Sequence, residues 1–300
     1  MNLVEKSKYV GQRSPYKLVR AFRYLKYLFA SKIANLLIKN VELKNLLYNT
    51  EISDGLLITA SLTTYPARIF EVRYAIISII LQTRRPDRTF LWLAEEQFPD
   101  KQIPENLRDL CEYGLEVHFC DDIHSHKKYY YTLQQQKENE LVVTFDDDII
   151  YHPRTIERLV EKHSDYPQCI ICSQVHIITY DKENKLAPYC KWGLAHDGMD
   201  TPSTSFMPLT GSGCLYPHGV MPICTFDKDL IHAIAITADD LWIGAMARMN
   251  GTLICPPKVV SRQFSVIGDS QTQSLSQVNC IADGNDDTLL RLQKNFNLFV

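Results

Sequence analysis

From about Gly55 the chain alternates short apolar, β-branched runs with stretches whose apolar residues recur at three- and four-residue steps. LLITASL (56–62), TFLWLA (89–94), LEVHFC (115–120) and LVVTF (141–145) read as strands. Segments near Val72 to Leu81, Glu105 to Tyr113, Lys128 to Lys137, and from beyond Pro153 to about His163 read as helices. Strands alternating with helices predict an α/β fold, a mainly parallel sheet covered on both faces. Open sheets of this kind bind ligands beyond the carboxyl ends of their strands. Three polar segments fall at those ends: Thr63-Thr-Tyr-Pro-Ala-Arg68, Cys120-Asp-Asp122 and Asp146-Asp-Asp148.

Ahead of this body the pattern differs. Leu18, Phe22, Leu25, Phe29, Ile33 and Leu36 keep helical spacing, with Lys17, Arg20, Arg23 and Lys26 mostly on the opposite side of the wheel. Residues 1–50 carry ten Lys/Arg against Glu5 and Glu42, which leaves about −11 on the remainder of a chain whose formal charge is −3. The division expected is a basic amphipathic arm, 1–52, followed by one domain, 53–300. Such an arm either docks on the body or lies on an anionic membrane surface, where each basic residue near the headgroups contributes about 1 kcal/mol. No apolar run approaches the ~20 residues of a spanning helix, so the expectation is a cytoplasmic protein, peripheral at most on the inner face of the membrane.

Nine cysteines, an odd number with no secretory signal ahead of them, point to a reducing compartment. Cys169-Ile-Ile-Cys172 has redox or zinc spacing, but it sits in an apolar run without a second ligand pair and reads as buried thiols.

The Asp146-Asp-Asp148 triplet follows one apolar run and precedes another. If the strand continues through it, Asp146 and Asp148 leave on one side and Asp147 on the other, toward a structural or ribose-side contact. Paired carboxylates need a proton or cation between them. Hard oxygen donors suit Mg²⁺ or Mn²⁺, which is commonly shared with substrate phosphates. Neither phosphate-cradling glycine motif, GxGxxG or GxxxxGK[ST], occurs. Arg68 and Lys127-Lys128 offer cations to phosphate oxygens instead. Farther on, Thr210-Gly-Ser-Gly-Cys-Leu-Tyr-Pro217 marks a bend, and Thr237-Ala-Asp-Asp-Leu-Trp242 opens an apolar helix. Thr237 or Asp239 would serve there as a cap, or the carboxylates as a general base. Gly211 and Gly213 would let backbone approach a sugar closely.

Taken in order, LITASLTTYPARI, QTRRPDRTFLWLAEEQFP, DDIHSHKKYYY, LVVTFDDDIIYHP, GSGCLYP, TADDLWIGAM and GNDDTLLRL resemble bacterial glycosyltransferases of the GT-A fold. The resemblance runs from residue 55 to the C-terminus and is closest to enzymes of capsule and O-antigen synthesis. It implies a D-x-D made by Asp146 and Asp148, binding a divalent metal and the diphosphate of a nucleotide sugar, a UDP-hexose. It also implies nucleotide contacts at Thr63, Tyr65, Arg68, Lys128 and Asp147, with Asp121 or Asp122 reading the uracil. The same resemblance implies inverting chemistry with Asp240, or failing it Asp239, as base, and acceptor or sugar contacts at Gly211, Ser212, Gly213 and Trp242. The acceptor would be a glycan or lipid-linked hydroxyl. One departure is the lack of a C-terminal histidine for the metal: the last His is His232, so Asn285, Asp286 or water would complete the shell. Two rivals remain: a haloacid-dehalogenase-type phosphotransferase with Asp146 as nucleophile, although three strand-like segments precede the motif here, and a non-catalytic calcium-binding domain.

Overall fold

The computed structural model describes residues 30–42, 55–259, 265–267 and 284–298. The arm positions Leu18, Phe22, Leu25 and Phe29, with the basic residues among them, lie outside the described residues. What is described of the arm is a helix, α1 (30–39). The body runs β1 (Leu57–Thr63), α2 (Val72–Ile80), β2 (Arg88–Ala94), a 3₁₀ segment (Glu105–Tyr113), β3 (Leu115–Cys120), α3 (Lys127–Gln134), β4 (Glu140–Phe145), β5 (Ile149–Ile150), α4 (Thr155–Asp165) and β6 (Ile170–Cys172). There follow β7 (Val175–Ile177), β8 (Gly193–Leu194), β9 (Phe206–Pro208), β10 (Ser212–Tyr216), α5 (Lys228–Ile234), α6 (Asp239–Met249), β11 (Ile254–Cys255), β12 (Ser265–Val266) and α7 (Gly284–Phe296).

Seven strands form one sheet in the order β11-β6-β10-β4-β1-β2-β3. Every pairing is parallel except the two made by β10, which runs against both β4 and β6. The α/β architecture expected from the alternation is therefore present. Its period of two is plain on β1, where Ile58, Ala60 and Leu62 join the apolar cluster that contains α2 and Ile156 and Leu159 of α4. On the opposite face the Ser61 and Thr132 hydroxyls lie 2.7 Å apart, and Thr132 accepts the Trp92 indole N–H at 2.8 Å. Thr59 donates to buried Glu140, which also pairs with Arg88 at 2.8 Å. These partners satisfy polar groups whose burial would otherwise cost stability. Helix α2, rich in isoleucine and nine residues long, is too short to hold alone; burial of seven of its side chains supplies what propensity does not.

A second cluster gathers α5, α6 and α7 around Trp242, which is fully buried. Its indole N–H donates to the Thr225 carbonyl at 3.0 Å, and its ring meets Phe296 edge-on at 6.0 Å. Trp242 is thus a core residue and not the acceptor contact expected, its ring enclosed by the cluster that joins α5, α6 and α7. The N-cap position of α6 is Ala238, so Asp239 falls at the first helical position and not at the cap. Cys169 and Cys172 are buried free thiols, as expected. In α1 the pattern is reversed from a fully docked helix: Ile38 is buried and the Asn35 amide donates to the Val266 carbonyl at 2.9 Å, while Ile33 and Leu36 stay exposed, Leu36 at 65%. Among the described residues no helix is long and apolar enough to cross a membrane.

Candidate functional site

Strand β4 ends at Phe145, so the triplet does not continue the pleat; residues 146–148 form a turn. The expected division by alternation gives way to division by partner. Asp147 accepts from the Thr64 hydroxyl at 2.6 Å and from Arg68 Nη1 at 2.7 Å, and the same Arg68 nitrogen lies 3.1 Å from Asp148 Oδ2. Asp146 goes the other way, its Oδ1 accepting from Lys128 Nζ at 2.7 Å. The loop after β1 thus meets the turn after β4 because those strands are neighbouring and parallel. Tyr65 completes this side, with the Arg68 guanidinium 5.5 Å from its ring centre. Thr63 does not face the turn through its hydroxyl, which donates to the Trp92 carbonyl at 2.8 Å.

Lys128 is the joint between the triplet and the acidic pair. Its Nζ lies 2.7 Å from Asp146 Oδ1 and 2.9 Å from Asp239 Oδ2, with the side chain only 4% exposed. Asp239 Oδ1 also accepts from Ser125 at 2.7 Å, and its Oδ2 lies 2.7 Å from the Thr210 hydroxyl oxygen. Asp240 Oδ1 accepts from Thr210 N at 2.7 Å and from the Thr210 hydroxyl at 2.6 Å. Burial opposes ionisation of Asp239, but Lys128 more than offsets it and holds the carboxyl well below the usual range. Asp240 is pushed the other way, to about 7, by burial and by repulsion from Asp239. Burial, then Asp146 and Asp147, raise Asp148 to about 7 as well. In the acidic pair one acid is therefore held charged and its neighbour made a proton acceptor near neutrality, a pattern common where acid–base chemistry is done.

Beyond β3, Asp122 accepts from Gln97 at 2.7 Å and is paired with Lys127, while Asp121 is paired with Lys228 at the surface. These carboxylates lie at the expected strand end, each paired with its own lysine. Of the glycine bend, Gly211 belongs to the site. A Cβ there would fall 1.8 Å from Asp146 Oδ2, so the Asp146 carboxylate occupies the space that a side chain at this position would need. Ser212 and Gly213, also expected to touch sugar, are buried within β10. Ser212 accepts the Gln174 N–H, and Gly213, at φ +91°, packs toward Thr155. Asp286, a possible third metal donor by sequence, accepts instead from the Tyr189 N–H at 2.8 Å.

The triplet offers hard oxygen donors with more negative charge than Arg68 and Lys128 balance, the condition a divalent cation relieves. Among the described residues no three His, Cys, Asp or Glu side chains converge as a metal cage. Asp146, whose side chain is 42% exposed, and Asp148 fit a cation only if phosphate or water supplies the remaining donors. Sequence reasoning missed Thr64, Ser125, Tyr151 and Thr210. Tyr151 donates to the Gly211 carbonyl at 2.5 Å and accepts the Asp146 N–H at 2.7 Å, tying the turn to the bend. Thr210 stood beside two glycines that drew the attention, and Ser125 carried no signal at all. A first prediction concerns the bend: Gly211→Ala must displace the Asp146 carboxylate. We expect a loss of roughly 1–3 kcal/mol in urea unfolding, as in other overpacked sites. A change under about 0.3 kcal/mol would show the close approach to be unimportant.

No protein-family model and no curated protein matches the chain. Among solved structures, the chain is similar to S. aureus TarS 1-349, with a TM-score of 0.45 and 13% identity over 70% of this chain and 59% of that one. The same protein in complex with UDP-GlcNAc gives 0.44 and 11%, covering 71% and 58%. A 4-diphosphocytidyl-2C-methyl-D-erythritol synthase from Anaerococcus prevotii gives 0.44 and 10%, covering 77% of this chain and 97% of that one. The chain therefore spans under two thirds of the TarS structures it matches.

Proposed function

We propose that the protein is a metal-dependent, inverting GT-A glycosyltransferase that moves a hexose from a UDP-sugar to a glycan or lipid-linked hydroxyl in surface-polysaccharide synthesis. The observation that carries this reading is the joining of the D-x-D turn to the acidic pair through buried Lys128, at the carboxyl ends of the parallel strands. Asp146 and Asp148 would hold Mn²⁺ or Mg²⁺ with the diphosphate; a bound cation there supplies charge stabilisation for the departing nucleotide. Arg68, raised above its ordinary value by Asp147 and Asp148 against the effect of burial, stays cationic and orients that turn. Thr64, Tyr65 and Asp147 shape the nucleoside side, and Asp121 or Asp122 reads the base. Asp240 takes the proton of the acceptor hydroxyl as the acceptor oxygen attacks the anomeric carbon.

The deciding experiment is a thermal-shift screen of UDP-, GDP-, CMP- and dTDP-sugars with and without Mn²⁺. A ligand at about a hundred times its Kd adds roughly 2.7 kcal/mol to the native state. Metal-dependent stabilisation by a UDP-sugar, lost in Asp148→Ala, is the expected result. Stabilisation by none of them, together with phosphatase activity, would transfer the triplet to the phosphotransferase reading.

The exposed Ile33 and Leu36 of α1, beside Lys32 and Lys39, support peripheral attachment to an anionic membrane, where a lipid-linked acceptor would lie. The full chain should sediment with anionic liposomes in low salt and be released by high salt. A form lacking residues 1–50 that sediments equally well would exclude the arm as the attachment.

A further inference from the structure

We infer that Thr210 is a positioning residue for Asp240, fixing which carboxylate oxygen receives the acceptor's proton; the inference rests on the transferase reading above. The Thr210 N–H and hydroxyl both reach Asp240 Oδ1, at 2.7 and 2.6 Å, and no hydrogen bond to Oδ2 is present among the described residues. An oxygen that already accepts two donors is the poorer base, because those bonds favour its charged form. Oδ2 is left as the basic atom, on a residue that keeps partial exposure.

The Thr210 hydroxyl has one proton and two acid neighbours, since its oxygen also lies 2.7 Å from Asp239 Oδ2. Asp239 does not depend on it, being served by Ser125 at 2.7 Å and Lys128 at 2.9 Å. The proton is therefore available to Asp240 while that carboxylate is charged, and can turn to Asp239 once Asp240 is neutral. Thr210 is itself fixed: it is fully buried, and its carbonyl accepts from Thr144 Oγ1 at 2.6 Å, at the end of β4. A β-branched side chain restricts the hydroxyl's rotamers further. In the transfer, the acceptor O–H proton passes to Asp240 Oδ2 and the acceptor oxygen bonds the anomeric carbon. The bond from that carbon to the diphosphate breaks, its electron pair leaving with UDP. The charged groups facing Asp240 are Asp239 on its own helix and Lys128 on α3; Cys214 on β10 is kept neutral by burial.

Thr210→Val keeps shape and N–H but removes the hydroxyl, whereas Thr210→Ser keeps the hydroxyl. UDP release from UDP-hexoses, followed against pH with Mn²⁺, separates them. For the valine variant kcat should fall about 10- to 100-fold with the donor KM within about twofold, part of what general-base catalysis contributes. Its acidic limb should move to higher pH, because a bond favouring the charged carboxylate is gone. The serine variant should stay within about threefold of the original protein with its limb unmoved. An unmoved limb in the valine variant, or a serine variant as impaired as the valine one, overturns the inference. If the valine variant does not fold, Thr210→Ala supplies the same comparison without demanding space. Were the unmutated protein to release UDP from no UDP-hexose, the transferase reading would fall and take this inference with it; release with variants unchanged sinks this inference alone.

Discussion

Asp240→Asn should lower kcat by about 10²- to 10⁴-fold, the range that a positioned general base contributes. Donor binding measured by calorimetry should stay within about threefold, since the amide keeps an oxygen for Thr210 N and Asp240 touches neither Arg68 nor the triplet. The pH profile of the unmutated protein checks the same assignment. The base works only when ionised, and burial with the Asp239 charge raises Asp240 to about 7. Activity should therefore rise with pH through about 7 and flatten above it, with the limb absent from the asparagine variant. Turnover that survives Asp240→Asn within tenfold would move the base elsewhere.

Lys128→Met should be the most destabilising single change in the site. It removes the cation shared by Asp146 and Asp239. The Asp146 side of that loss is the smaller because its carboxylate is partly open to water, whereas Asp239 is buried and would keep a charge without its main counter-ion. Breaking a buried pair by removing one partner costs about 3–5 kcal/mol. Removing both partners leaves no orphaned charge, so Lys128→Met with Asp239→Asn should recover much of that loss in urea unfolding. A double variant no more stable than the single one would mean that the lysine's packing, and not its charge, matters there.

The strands and helices of the first half were legible because they carry the fold's two periods without ambiguity. LLITASL alternates core-facing aliphatics with hydroxyls, and the strand observed differs by one residue at each end. Burial on both faces of β4 was legible in LVVTF for the same reason. The D-x-D geometry was not, because alternation holds only while the strand lasts and β4 stops at Phe145. Trp242 was misread because an aromatic beside two acids suggests a sugar contact, whereas the indole is enclosed by Thr225 and by Phe296 of α7, partners that no local pattern names. Thr210 and Ser125 acquire meaning only from partners 30 and 114 positions away, and no local pattern encodes such a distance.

The antiparallel strand of the seven-stranded sheet, β10, has a consequence for the order in which the protein is made. Because it runs against β4, the bend that opens it arrives beside the triplet from the opposite end of the chain's path. A ribosome that has delivered β1 to β4 has already supplied Asp147 with Thr64 and Arg68. Asp146 must wait some sixty residues for Gly211, and Lys128 longer still for Asp239, a delay of several seconds at about 5–20 residues per second. A chain arrested before Thr210 would carry the Thr64–Arg68–Asp147 half of the site without the half that Thr210, Asp239 and Asp240 build.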